Sequence, residues 1–129
     1  YPTVASWLME SAQVFHNPVC SKSRGALEIL TEQGVSVDVV EYLKTPPDRA
    51  TLERIVDALP DEPAALVRHD KRFGELGLDP DGYTSRAAVV GLLLAHPELM
   101  ERPVVFVGER AVIARPSEKV LELLASPEK

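Results

Sequence analysis

The sequence predicts an α/β domain built on a four-stranded mixed sheet, and three observations carry this. A βαβ pattern opens the chain, with short apolar strand-like runs on either side of a helical one. Some fifty residues with helical signals only come next. Two short apolar runs joined by a Gly-containing turn, followed by a helix, close it. At 129 residues the chain suits one domain that buries about two-thirds of its unfolded surface.

The elements follow in order. Ala12–His16 reads as a strand ended by Asn17-Pro18, because proline disfavours helix at the residue before it and has no N–H for a ladder. From Ser21 a helix is expected, with Ala26, Leu27 and Leu30 on one face and Gly34 as its stop. Val35–Val40 alternates Val35, Val37 and Val39 with Ser36 and Asp38, a period of two that marks a second strand. Thr45-Pro46-Pro47 breaks the chain and Asp48 offers a helix cap. Arg49–Leu59 then carries Leu52, Ile55, Val56 and Leu59 at helical spacing, and residues 62–67 and 72–76 suit shorter turns. Thr84 is expected to cap a helix through Leu94. Val104–Val107 and Ala111–Ala114, joined through Gly108-Glu109-Arg110, predict a hairpin. Pro116-Ser117-Glu118 opens a last helix with Val120, Leu121 and Leu124 facing inward.

This is the element order of a thioredoxin-like fold (βαβ…ββα) with a helical insertion between the second and third strands. Residues 1–11 read as an N-terminal extension or an appended remnant, with Met9 a natural start. Residues 12–126 read as a single domain whose insertion covers about 48–100.

Composition narrows the function. The formal charge of −6 argues against a nucleic-acid or anionic-membrane surface, which would show a dense basic stripe. No run approaches the ~20 apolar residues that span a bilayer, so a soluble cytoplasmic protein is expected. One cysteine leaves no intrachain disulfide framework. Three scattered histidines beside it offer no zinc-ligand spacing. His69 and His96 read as structural, and no bound cofactor or metal is expected.

The lone Cys20 lies between the first strand and the first helix, in His16-Asn17-Pro18-Val19-Cys20-Ser21-Lys22-Ser23-Arg24. A free cysteine is often a small buried hydrophobe. A helix start changes that, since its open N–H groups and positive dipole end favour a thiolate. Lys22, Arg24 and a protonated His16 would add to the bias, and the same donors suit an oxyanion. In a Cys-x-x-Cys pair the second thiol resolves an oxidised first one. Ser23 occupies that position here, and a hydroxyl cannot resolve a mixed disulfide. Any oxidised intermediate on Cys20 therefore needs a thiol from outside the chain.

The segment His16-Asn17-Pro18-x-Cys20-x-x-Ser23-Arg24 resembles the active-site signature of the glutaredoxin-coupled (ArsC-type) arsenate reductase family. Tyr42-Leu43-x-x-Pro46-Pro47, Ala65-Leu66-Val67-Arg68, His96-Pro97, Arg102-Pro103-Val104-Val105 and Ala114-Arg115-Pro116-Ser117-Glu118 extend the match in order along the chain. Ser21-Lys22 departs from the small residues common in that loop, and Cys-x-Lys-Ser-Arg is similar to an arsenate reductase-like subgroup.

The resemblance implies a thioredoxin-like fold with Cys20 as nucleophile, His16 lowering its pKa and Ser23 completing the catalytic loop. It implies that Arg68, Arg102 and Arg115 gather around the oxyanion, since guanidinium groups pair with oxyanions through planar forks. Lys22 and Arg24 would add charge at the same anion. Arg49, Arg54, Arg72, Arg86 and Arg110 read instead as solvated ion-pair residues. The resemblance also implies a cis bond at Arg102-Pro103. The expected activity is reduction of arsenate to arsenite through a Cys20 adduct, with glutathione as co-substrate, glutaredoxin as partner and a monomeric chain. Two alternatives stand beside it. One is a non-catalytic transcriptional regulator similar to the Spx branch, against which the missing second cysteine argues. The other is a general glutathione-dependent thiol oxidoreductase.

Overall fold

A computed structural model describes residues 11–124. The described residues fall into two compact units, one formed by residues 11–41 with 102–124 and the other by Tyr42–Glu101. The expectation for residues 1–11 falls outside the described residues, except for Ser11, which opens the first strand.

The first unit holds β1 (Ser11–His16), α1 (Ser21–Glu32), β2 (Ser36–Glu41), β3 (Val104–Val107) and β4 (Arg110–Ile113). Its sheet runs β2-β1-β3-β4. β1 pairs parallel with β2, His16 opposite Glu41, and antiparallel with β3, which pairs antiparallel with β4. The order explains the composition of the strands. Central β3 is Val104-Val105-Phe106-Val107, buried at every position, whereas edge β2 leaves Val39 44% exposed. Apolar alternation was present in β2, but at an edge only part of it is covered.

One face of the sheet packs against α1. Ala12, Val14, Val105, Val107, Val112 and Ala114 meet Ala26 and Leu30 there, with Val120 and Leu123 from the last described helical turns. Phe15 and Phe106 stack edge to face on the opposite side, their rings 6.2 Å apart. α1 stops where its sequence says it must. The Val35 N–H donates to the Leu30 carbonyl and the Gly34 N–H to that of Thr31, around a Gly34 φ of 77°. That left-handed turn suits glycine, and it returns Val35 to the core beside Leu30.

The second unit is helical. It contains α2 (Arg49–Ala58), α3 (Lys71–Glu75) and α4 (Arg86–Ala95), joined by single 3₁₀ turns at Pro63–Leu66, Pro80–Gly82 and Pro97–Leu99. Asp48 caps α2 through the Thr51 N–H, and Asp70 caps α3 through that of Phe73. Arg86 of α4 forks onto Asp57 of α2 at 2.7 and 2.8 Å. An antiparallel bridge joins Val67 to Met100.

Three local expectations need correction. The cap of α4 is Ser85, whose hydroxyl accepts from the Ala88 N–H, and not Thr84. The hairpin turn is Gly108-Glu109, since Arg110 already pairs with Val107. The C-terminal segment begins as a 3₁₀ turn, Ser117–Val120, before α5 (Leu121–Leu124). Three residues per turn put Val120 and Leu123 on the buried side and turn Leu121 outward, 42% exposed. Among the described residues no helix is long and apolar enough to cross a membrane.

Candidate active site

Asn17-Pro18 ends β1, and the chain turns at once into α1. The buried Asn17 shapes that turn: its side-chain oxygen accepts from the Val19 N–H at 3.1 Å, and its carbonyl accepts from the Cys20 N–H at 3.0 Å. Such a side-chain-closed turn is the habit of Asn before Pro. Ser23, fully buried, accepts the Asn17 backbone N–H on its hydroxyl at 3.3 Å. The loop thus leaves Cys20 at the cap position of α1, with a partly exposed thiol in front of the helix's open N–H groups.

The Cys20 pKa is lowered to about 7. Burial pushes it up, and four influences outweigh burial: the Ser23 N–H, a hydrogen bond from Arg102, the Lys22 N–H and the Arg102 charge. The sulfur closes no capping hydrogen bond, and the Ser23 and Lys22 N–H groups favour its thiolate as part of the positive end of the helix. Arg115 approaches from the far end of β4. Its Nη1 lies 3.7 Å from Cys20 Sγ and donates to the Arg102 carbonyl at 3.0 Å. Both arginines precede cis prolines, Arg102-Pro103 and Arg115-Pro116; the sequence reading anticipated only the first.

The other expected residues sort differently. Lys22 acts on the sulfur through its backbone, and its side chain is exposed. Arg24 donates to the Pro18 carbonyl at 3.1 Å and braces the loop. Ser23 contributes its N–H to the sulfur and its hydroxyl to the loop. His16, only 6% exposed, is held below the usual imidazole pKa by burial; Glu41 pulls it up and Arg24 pushes it down. None of the strongest influences on Cys20 comes from His16. A protonated His16 as thiolate partner gives way to a neutral one, because the strand end is desolvated. Its Nδ1 is buried and has no hydrogen-bond partner among the described residues.

Arg68 belongs to the second unit. Its Nη1 bonds Glu101 at 2.7 Å and its Nε bonds Asp70 at 3.3 Å. These carboxylates raise its pKa against the effect of burial. Of the arginines read as ion-pair residues, Arg86 and Arg72 bind carboxylates. Arg110 instead donates to the carbonyls of Glu122 and Leu123. His96 bonds Glu98.

Sequence reasoning missed Asn17 and Ser117 as builders of the site. The Asn-Pro pair signalled the first. For the second only proximity could have told: the Ser117 hydroxyl donates to the Lys22 carbonyl at 2.8 Å, across 95 residues of chain.

The model of the ArsC family matches residues 15–123. An arsenate reductase of Neisseria meningitidis serogroup B is 40% identical over 118 residues, 90% of this chain and all of that one. An uncharacterized Escherichia coli K12 protein is also 40% identical, over 91% of this chain and 99% of its own length. The solved structure of an arsenate reductase from Vibrio cholerae superposes with a TM-score of 0.80 at 38% identity, covering 89% of this chain and 98% of that one.

Proposed function

The chain belongs to the ArsC family, and from that premise we propose that it reduces arsenate to arsenite, with Cys20 as nucleophile and glutathione as the external reductant. The observation that carries the reading is the placing of a thiol of pKa about 7 within 3.7 Å of a guanidinium. A sulfur so poised is substantially thiolate at neutral pH and has a fixed cation beside it for an incoming anion. Relatives named as arsenate reductases supply the choice of oxyanion.

In this reading arsenate docks against Arg102, Arg115 and the first turn of α1. Arg68, held by Asp70 and Glu101 in the helical unit, is expected from the family resemblance alone to bind the same anion. The Cys20 thiolate forms an S–As bond, and an arsenate oxygen leaves as water after protonation. Glutathione then attacks the adduct. An S–S bond joins it to Cys20, the electron pair of the broken S–As bond stays with arsenic, and arsenite departs. No second cysteine is present to resolve this mixed disulfide. A glutaredoxin thiolate attacks the glutathione sulfur and returns Cys20 as thiolate. Cys20→Ser should abolish arsenite formation in the presence of glutathione and glutaredoxin. Retained turnover would overturn the reading.

A further inference from the structure

The Lys22 carbonyl and the Ser23 N–H are two ends of one peptide unit. The first accepts the Ser117 hydroxyl at 2.8 Å; the second is the largest favourable influence on the Cys20 sulfur. A peptide is planar, so holding its oxygen holds its N–H. A donor on the oxygen also polarises the N–H, as in any hydrogen-bonded chain.

We propose that Ser117 is a positioning residue for the reactive sulfur: its hydroxyl fixes the Lys22–Ser23 peptide beside Cys20, and Gly25 leaves the space that lets it reach. The Gly25 evidence is independent of the hydrogen bond. A Cβ at position 25 would stand 2.6 Å from Ser117 Oγ and 3.2 Å from Ser117 Cβ. α1 therefore carries a glycine between the buried Ser23 and Ala26, at the place where the 3₁₀ turn of Ser117–Val120 packs against it. Any larger residue would drive the serine side chain off the Lys22 carbonyl. Ser117 also follows Arg115 by two residues, so the same contact ties the turn bearing that guanidinium to the first turn of α1.

The inference rests on Cys20 being the reactive group, and its test needs no arsenate. Charged and titratable groups around the sulfur are Arg102 before β3, Arg115 after β4, Lys22 and Arg24 on α1, and His16 at the end of β1. Ser117→Ala leaves all of them in the chain, so a change in Cys20 titration reports the peptide and the placing of that turn.

The experiment is the pH profile of iodoacetamide alkylation of the only cysteine, in the full chain, with melting followed in parallel. Ser117→Ala should move the midpoint upward by about half a pH unit. Alkylation at pH 6 should then slow about threefold, while the plateau above pH 9 stays within about 30% of the parent. Gly25→Ala should shift the midpoint in the same direction, and Ser117→Thr, which keeps the hydroxyl, should restore it. A Ser117→Ala profile superposable on the parent would overturn the proposal, even if melting fell. So would an equal shift in Ser117→Thr. A shifted profile in a chain that fails to reduce arsenate would sink the arsenate reading and leave this one standing.

Discussion

Arg115 Nη1 bridges two points of the site: it lies 3.7 Å from Cys20 Sγ and 3.0 Å from the carbonyl oxygen of Arg102. The two arginines are thus unequal partners of the sulfur. Arg102 lowers the thiol pKa both by hydrogen bonding and by charge, whereas Arg115 is not among the strongest influences despite its closeness. Part of its donor capacity is directed at a backbone oxygen. Arg102→Ala should therefore raise the Cys20 alkylation midpoint by about one pH unit, and Arg115→Ala by roughly half of that. Equal shifts, or the reverse order, would contradict this division.

Ser23 has two functions that one substitution separates. Its hydroxyl accepts a backbone N–H in a fully buried setting, while its own N–H serves the sulfur. Ser23→Ala removes only the first. It should cost about 1–3 kcal/mol in urea unfolding, the penalty for stranding a buried donor. The alkylation midpoint should remain within about 0.3 pH units of the parent. A large midpoint shift with unchanged stability would show that the hydroxyl itself acts on the thiolate.

His16 makes the fold sensitive to acid. Its folded pKa is below the unfolded value of 6.5, with burial the main cause. Below pH 6.5 the unfolded chain binds a proton there that the folded chain resists, so stability falls as pH drops from 6.5 towards the folded pKa. Urea unfolding at pH 7 and pH 5 should show this loss, and His16→Gln should reduce the difference. If the glutamine variant lost as much stability on acidification, another group would be responsible.

Arg68 offers a separation of binding from thiolate tuning. It is anchored by Asp70 and Glu101 in the helical unit and is absent from the strongest influences on Cys20. Under the proposed function, Arg68→Ala should raise the KM for arsenate about tenfold or more, as loss of a charge-assisted pair does. The Cys20 alkylation profile should not move. A shifted profile would place Arg68 among the groups that set the thiolate.

Much of this was legible in the sequence because the signals were local. A period-two run marked β2, short apolar runs marked the hairpin, Asp48 and Gly34 marked helix ends, and a cysteine after Asn-Pro at a helix start marked the candidate nucleophile. What escaped depends on local backbone geometry, on burial, or on contacts distant in sequence. Ser85 rather than Thr84 caps α4, a choice between adjacent hydroxyls that backbone geometry makes. Leu121 points outward because a 3₁₀ turn precedes its helix, and side-chain periodicity carries no mark of that. Burial reversed the expectation for His16: the residue type suggests a cation, and desolvation keeps it neutral. Ser117 reaches Lys22 across 95 residues, and no spacing rule connects them.

The central claim is that Cys20 reduces arsenate with a thiol borrowed from solution, and one measurement addresses it directly. The chain is incubated with arsenate and glutathione, without glutaredoxin, and its intact mass and the arsenite released are recorded together. The account predicts one glutathionyl group on Cys20 per arsenite formed, both dependent on arsenate. Glutathionylation equally fast without arsenate, or arsenite released with no modification of Cys20, would contradict it.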